Sequence, residues 1–158
     1  VFFRQPRFGF NNRTFSIYKF RSMRHDDQPE EKTVQAVKDD PRVTRVGHFL
    51  RRSSLDELPQ LFNVLEGTMS LVGPRPHAVD HNEHYSQHVR GYFARHRVKP
   101  GITGWAQVNG LRGQTETPEK MAERVRYDVY YTENWSLFFD LRILLQTFVI
   151  LFTGKNAH

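Results

Sequence analysis

The sequence predicts an α+β fold, a single helix-dominated domain with a small β-hairpin at its N-terminus. Three observations lead there. Aromatic and β-branched residues (Phe2, Phe3, Phe15, Ile17, Tyr18, Phe20) flank the turn-forming run Phe8-Gly9-Phe10-Asn11-Asn12, as two strands flank a tight turn. Two later stretches place apolar residues at helical spacing, at 43, 46, 49 and 50 and again at 55, 58, 61, 62 and 65. The chain is 158 residues long and 13% aromatic, the size of one ordinary domain with enough apolar bulk for a core. Residues 1–158 are accordingly read as one domain.

The elements follow in order. Residues 1–23 form the hairpin. Residues 24–41 are polar and acidic, from His25-Asp26-Asp27 to Asp39-Asp40-Pro41, and read as a mobile loop with a helical turn near Glu30–Lys38. The helix over residues 43–50 sets its apolar stripe opposite Arg42, Arg45, Arg51 and Arg52. The next, over residues 55–65, ends at Gly67. Its Ser54 and Glu57 have the spacing of a capping box. Pro59 removes an amide donor and should kink the first turn. Met69–Val72 is short and apolar and runs into Gly73-Pro74-Arg75-Pro76. A long polar helix is expected from about His77 to His96, then a rigid turn at Lys99–Gly104. Thr117-Pro118-Glu119 supplies an N-cap and a proline at the first helical position, opening a helix to about Tyr131. The last helix, Leu137–Phe152, is very apolar but interrupted by Asp140, Arg142 and Gln146. It suits a core helix or one lying at a membrane surface, because charges cross hydrocarbon only at high cost.

Composition narrows the function classes. Charged residues make up 25% of the chain and the formal net charge is +6, which suits polyanionic partners: nucleic acid, anionic lipid headgroups or a diphosphate. With no cysteine, disulfides and thiolate metal sites are excluded. The chain starts at Val1 without an initiator Met or a signal-peptide pattern, and is read as a piece of a longer protein. No run of about 18 apolar residues marks a simple membrane-spanning helix.

Four groups of residues could carry chemistry. Asp56 and Glu57 open a helix that Pro59 kinks, just after Arg51 and Arg52. The helix dipole and these arginines would keep Asp56 ionised, and an ionised carboxylate can attack phosphorus to give an acyl phosphate. The neighbouring carboxylate could hold Mg²⁺ together with substrate phosphates. Ordinary helix capping explains the same pair, and taken alone is the stronger reading. Two prolines brace Arg75, as befits a guanidinium aimed at a phosphate. Lys19 and Arg21 share one face if their strand alternates. His77, His81, His84 and His88 fall on one helical stripe, for which a solvated face is a better reading than zinc.

The motifs Lys19-Phe20-Arg21-Ser22-Met23, Asp40-Pro41-Arg42-Val43-Thr44, residues 54–63, Ser70-Leu71-Val72-Gly73-Pro74-Arg75-Pro76 and Lys99-Pro100-Gly101-Ile102-Thr103-Gly104-Trp105 together resemble the bacterial sugar transferases, the monotopic phosphoglycosyl transferases. His77-Ala78-Val79, Val108-Asn109-Gly110-Leu111-Arg112-Gly113, Tyr127-Asp128, Glu133-Asn134-Trp135-Ser136 and Gly154-Lys155-Asn156-Ala157 resemble the undecaprenyl-phosphate glucose phosphotransferases. The resemblance implies transfer of a sugar-1-phosphate, glucose-1-phosphate in that subfamily, from a UDP-sugar to undecaprenyl phosphate with release of UMP. It implies Asp56 as nucleophile through an aspartyl-phosphosugar intermediate, and Mg²⁺ at Glu57 and Asp56. Phosphate ligands at Lys19, Arg21, Arg51 and Arg75 are implied too. So are a re-entrant membrane helix preceding Val1, a place at the cytoplasmic face of the bacterial inner membrane, and a role at the start of exopolysaccharide or capsule synthesis. The same reaction with galactose or an N-acetylhexosamine is the near alternative, and self-association into a homo-oligomer stays open. A non-catalytic nucleic-acid module is the distant alternative. It is disfavoured because the aromatics sit at apolar-periodic positions instead of beside the basic residues.

Overall fold

The computed structural model describes residues 1–24, 40–77, 79–113 and 117–153, without the side chains of residues 80–84. The helical turn expected near Glu30–Lys38 lies outside the described residues, as do the side chains of His81 and His84.

Strands β1 (Phe2–Phe8) and β2 (Thr14–Phe20) pair antiparallel from Phe2–Phe20 to Phe8–Thr14. Asn11 and Asn12 take positive φ in the turn between them, a conformation asparagine tolerates better than most residues. In this register Gln5, Arg7, Ile17 and Lys19 share a face, and Ile17 is buried. Asn63 docks the hairpin, accepting from the Tyr18 amide at 3.0 Å and donating to the Ser16 carbonyl at 2.8 Å.

Helix α1 spans Arg45–Arg52, capped by the Thr44 hydroxyl. The second predicted helix is split, as Pro59 requires: a 3-10 turn at Leu55–Glu57, then α2 at Gln60–Leu65, which ends before Gly67 at φ 77°. The stretch Lys99–Gly104, expected as a turn, contains strand β4 (Gly101–Thr103), parallel to β3 (Ser70–Val72). Glycines make this approach feasible. A Cβ at Gly101 would stand 2.1 Å from the Gly73 nitrogen.

The expected helix over residues 77–96 is interrupted. Helix α3 covers Val79–His88, Gly91 turns left-handed at φ 74°, and a 3-10 turn occupies Tyr92–Arg97. Short α4 (Trp105–Val108) precedes α5 (Pro118–Glu133), whose Thr117 cap accepts from the Lys120 amide at 3.3 Å. Helix α6 runs Leu137–Thr153.

Two apolar clusters hold these elements. Tyr85, Val89 and Tyr92 meet Met121 and Val125 of α5. Val72, Tyr131 and Ile143 form the other, with Trp105, Phe139 and Leu144 against them. Among the described residues, no helix is long and apolar enough to cross a membrane.

Candidate active site

Two carboxylates sit side by side in different environments. On a 3-10 turn successive side chains diverge by roughly 120°. Glu57 turns inward and is 6% exposed. Asp56 is half-buried, and no hydrogen bond or ion pair holds its carboxylate among the described contacts.

Glu57 lies in a cage of cations. Lys19 Nζ from β2 donates to its Oε1 at 3.0 Å. Arg75 from the loop after β3 makes a two-pronged pair, reaching Oε2 at 3.1 Å and Oε1, the strong fork geometry of guanidinium and carboxylate. Arg112 stands 4.0 Å from Oε2. Burial alone would raise the Glu57 pKa, but Arg75 and Lys19 outweigh it and hold the carboxyl well below the usual range. The expected capping box does not form. Ser54 adopts φ 57° without capping the turn, and its hydroxyl accepts from Arg112 at 2.8 Å. Charge-assisted bonds to Lys19 and Arg75 outcompete the neutral amide that Glu57 would have reached.

Asp56 shifts the other way. Burial and the adjacent Glu57 charge raise its pKa, against the pull of Lys19, Arg75 and Arg51. Expecting the helix dipole and arginines alone to set its charge state overlooked both its own partial burial and its like-charged neighbour. A raised carboxylate is the more basic one, and it is the one with free oxygens.

Of the cations that the resemblance implies, Lys19, Arg75 and Arg51 come together here. Lys19 and Arg75 contact Glu57. Arg51, tied by its Nε to the Ser22 hydroxyl at 2.9 Å, lowers the Asp56 pKa with them. Arg21, one residue beyond β2, is exposed and, among the described residues, is not one of the cations that contact Glu57.

Four arginines complete the basic surroundings without having been singled out from the sequence. Arg7 of β1 shares the Lys19 face. Its pKa falls to about 10, by burial and by Arg75, with Glu57 opposing. Arg112 follows α4. Arg95 and Arg124 lie behind Arg75 with His77, where Arg95 pairs with Asp128 at 2.8 Å. His77 is buried, with its Nδ1 2.8 Å from the Tyr92 hydroxyl. It precedes α3 and belongs to this interior group, which corrects the solvated-face reading for His77, whereas His88 is exposed. Only Arg112 lay within a quoted motif; the others had no local signal. Cations thus clearly outnumber the carboxylates Asp56, Glu57 and Asp128, an imbalance that a polyanionic ligand would neutralise.

The donor set also bears on a divalent cation. Glu57 Oε1 is taken by both Lys19 and Arg75, while Oε2 receives one Arg75 nitrogen. Open coordination therefore rests mainly on Asp56, with Glu57 Oε2 the less occupied oxygen beside it. This suits Mg²⁺, which takes one or two carboxylates and completes its shell with phosphate and water. Among the described residues, no group of three or more acidic, histidine or cysteine side chains forms a dedicated metal site.

Beside the site runs an apolar groove of about 240 Å³, with Leu58, Leu61, Leu71, Ile102 and Phe148 along it and Glu57 and Arg112 at one end. Its walls belong to a broader apolar surface. Val46, Phe49, Leu58, Leu61, Phe62 and Leu65 are exposed, as are Leu137, Phe138, Leu145, Phe148 and Phe152 of α6. The apolar stripes of α1 and α2 thus face outward, and aromatics read as core residues stand at the surface.

The chain is 55% identical over all 158 residues to the UDP-glucose:undecaprenyl-phosphate glucose-1-phosphate transferase of Escherichia coli (strain K12), covering 34% of that protein. It is 56% identical over 158 residues to the protein of the same description from Xanthomonas campestris pv. campestris, covering 33%. At 43% over 158 residues (99% of the chain and 36% of the relative) it resembles the UDP-N-acetylgalactosamine-undecaprenyl-phosphate N-acetylgalactosaminephosphotransferase of Aeromonas hydrophila. The chain thus spans about a third of the length of these relatives. Residues 1–154 match the family described as bacterial sugar transferase, and the chain belongs to that family.

Proposed function

We propose that this chain is the catalytic domain of an enzyme that moves glucose-1-phosphate from UDP-glucose to undecaprenyl phosphate and releases UMP. One observation carries the reading: a carboxylate with free oxygens, Asp56, stands at the edge of an array of fixed cations. The relatives named for UDP-glucose are 55% and 56% identical, against 43% for the one named for UDP-N-acetylgalactosamine, which favours glucose over the alternative sugars. The family also argues against a nucleic-acid module.

Ionised Asp56 attacks the phosphorus that bears the sugar. The new Asp56 oxygen–phosphorus bond replaces the bond to the bridging oxygen, and UMP departs with that electron pair. A phosphate oxygen of the lipid then attacks the same phosphorus, frees the Asp56 carboxylate and leaves a lipid diphosphosugar. Arg75, Arg51 and Lys19 stabilise charge on the phosphate oxygens in both steps, a task for preorganised donors. Glu57 holds Arg75 and Lys19 in place. Asp56, with Glu57 beside it, would hold Mg²⁺, and the ion would supply neutralisation of phosphate charge.

The outward apolar surface of α1, α2 and α6 supports a membrane-facing orientation that meets a lipid substrate, with the net charge of +6 favouring anionic lipid. This fits the cytoplasmic face of a bacterial inner membrane and a first step in exopolysaccharide or capsule assembly.

UMP release by the full-length protein in nanodiscs with undecaprenyl phosphate, across a panel of UDP-sugars, tests the reading. UDP-glucose should give the highest rate. No UMP from any UDP-sugar would reject the reaction, and a preference for an N-acetylhexosamine would reject the sugar.

A further inference from the structure

The loop that carries Arg75 is held by donors from three separate parts of the fold. The Gly101 amide of β4 donates to the Pro74 carbonyl at 3.0 Å. Arg95 Nη2 donates to the Arg75 carbonyl at 2.5 Å, and Arg7 Nη1 to the Pro76 carbonyl at 3.5 Å. Three consecutive carbonyls are thus fixed independently.

Arg95 is the most deeply placed of these donors. It is 1% exposed and lies in the 3-10 turn before β4. Its Nη1 is 2.5 Å from His77 Nδ1, and its Nη2 is 2.8 Å from Asp128 Oδ2 on α5. Asp128 is 2% exposed. One guanidinium therefore grips the backbone of Arg75 and the side chain two residues on, while a buried carboxylate lies in ion-pair range of it, its Oδ2 without a hydrogen bond among the described residues.

Stability is a poor reason to keep such a pair. Desolvating two charges costs nearly what their attraction returns, and apolar side chains of similar volume often serve as well or better. Met121, Val125 and Tyr92 lie in the adjoining apolar cluster, so an apolar replacement would have partners there. What an apolar residue could not do is donate to the Arg75 carbonyl.

We propose that Arg95 is a positioning residue, anchored by Asp128 and His77, which fixes the backbone of Arg75 so that its guanidinium meets Glu57 and the substrate phosphate. This rests on the reading of Arg75 as a phosphate ligand. Arg95 acts through Arg75 and takes no direct part at the reacting atoms.

A double-mutant cycle in the full-length enzyme tests it. Arg95→Met should lower kcat/KM about ten- to hundredfold, as small misplacements near the reacting groups do. In the Arg75→Lys background, which has already lost the fork that Arg95 aims, the same change should cost less than about threefold, the signature of coupled residues. Equal losses in both backgrounds, or full activity in Arg95→Met, would overturn the proposal. If Arg95→Met does not fold, Asp128→Asn removes the anchor at constant volume and enters the same cycle. A cryo-EM structure of the folded variant gives a readout that needs no turnover. Arg75 should leave Glu57, and an unmoved Arg75–Glu57 pair would contradict the idea. A wild-type enzyme that releases no UMP would instead reject the proposed function and leave the structural readout to decide this point.

Discussion

Residues 55–65 and helix α5 both bury one face, but only α5 contributes residues to the two apolar clusters. In α5 the inward positions combine Met121, Val125 and Tyr131, which join those clusters, with the charged Arg124 and Asp128. In residues 55–65 the inward positions are polar: Glu57, Gln60 and Asn63 are buried at 6%, 1% and 1% exposure, while Leu58, Leu61, Phe62 and Leu65 face out. Burying polar groups is tolerable only when their hydrogen bonds are satisfied. Glu57 and Asn63 meet that condition through Lys19, Arg75 and the hairpin backbone. The outward leucines have no such account within the described residues. The proposed membrane-facing orientation would give them a second apolar environment, on the outer side of the active-site turn. The period of an apolar pattern reports that a helix forms; which face is buried depends on what lies on each side.

Substitutions on the two regions can break this comparison. Met121→Ala should have the largest effect, a loss of about 2–5 kcal/mol of unfolding free energy in denaturant titration, because it opens a cavity in a closed core. A loss as small as that of a surface mutation would mean that α5 is not the conventional partner. Next comes Asn63→Leu. Although it makes a helix position more apolar, it strips the Tyr18 amide and Ser16 carbonyl of their partner and should cost about 1–3 kcal/mol. A gain in stability would show that the inward face of α2 is apolar in practice.

Phe62→Ser should change stability by less than about 0.5 kcal/mol, like other surface changes, yet reduce co-flotation with anionic vesicles. Unchanged flotation would separate this face from the membrane. The smallest effect is a displacement along the pH axis. Lys19 lowers the Asp56 pKa, so Lys19→Met should raise it. The ionised nucleophile then forms only at higher pH, and the acid limb of the kcat/KM profile should move up. Glu57→Gln removes a charge that raises the same pKa and should move the limb down. Shifts in the same direction would show that Asp56 is not the titrating group.

Much of this was legible in the sequence. The asparagine turn marked the hairpin, and Thr117-Pro118 marked the start of α5. Pro59 announced the break between the 3-10 turn and α2, and Gly67 its end. Strand β4 was not legible, because three residues pairing in parallel with a strand some thirty positions earlier leave no periodic trace. Nor did Gly91 show that it would divide the polar helix. The Asp56–Glu57 pair and the braced Arg75 were singled out from the sequence, and the structure brings Glu57 and Arg75 together. Arg7, Arg95 and Arg124 were not singled out, since a single arginine in a strand or helix looks the same whether it faces water or a buried carboxylate.

The central claim is that the two neighbouring carboxylates have divided roles, Asp56 reacting and Glu57 holding the cations. Incubating the full-length enzyme with UDP-glucose alone, then mapping the trapped adduct by peptide mass spectrometry, tests it most directly. The phosphohexose should appear on Asp56 and be absent in Asp56→Asn, which should retain its fold and release no UMP. An adduct on Glu57, or full UMP release by Asp56→Asn, would contradict the account.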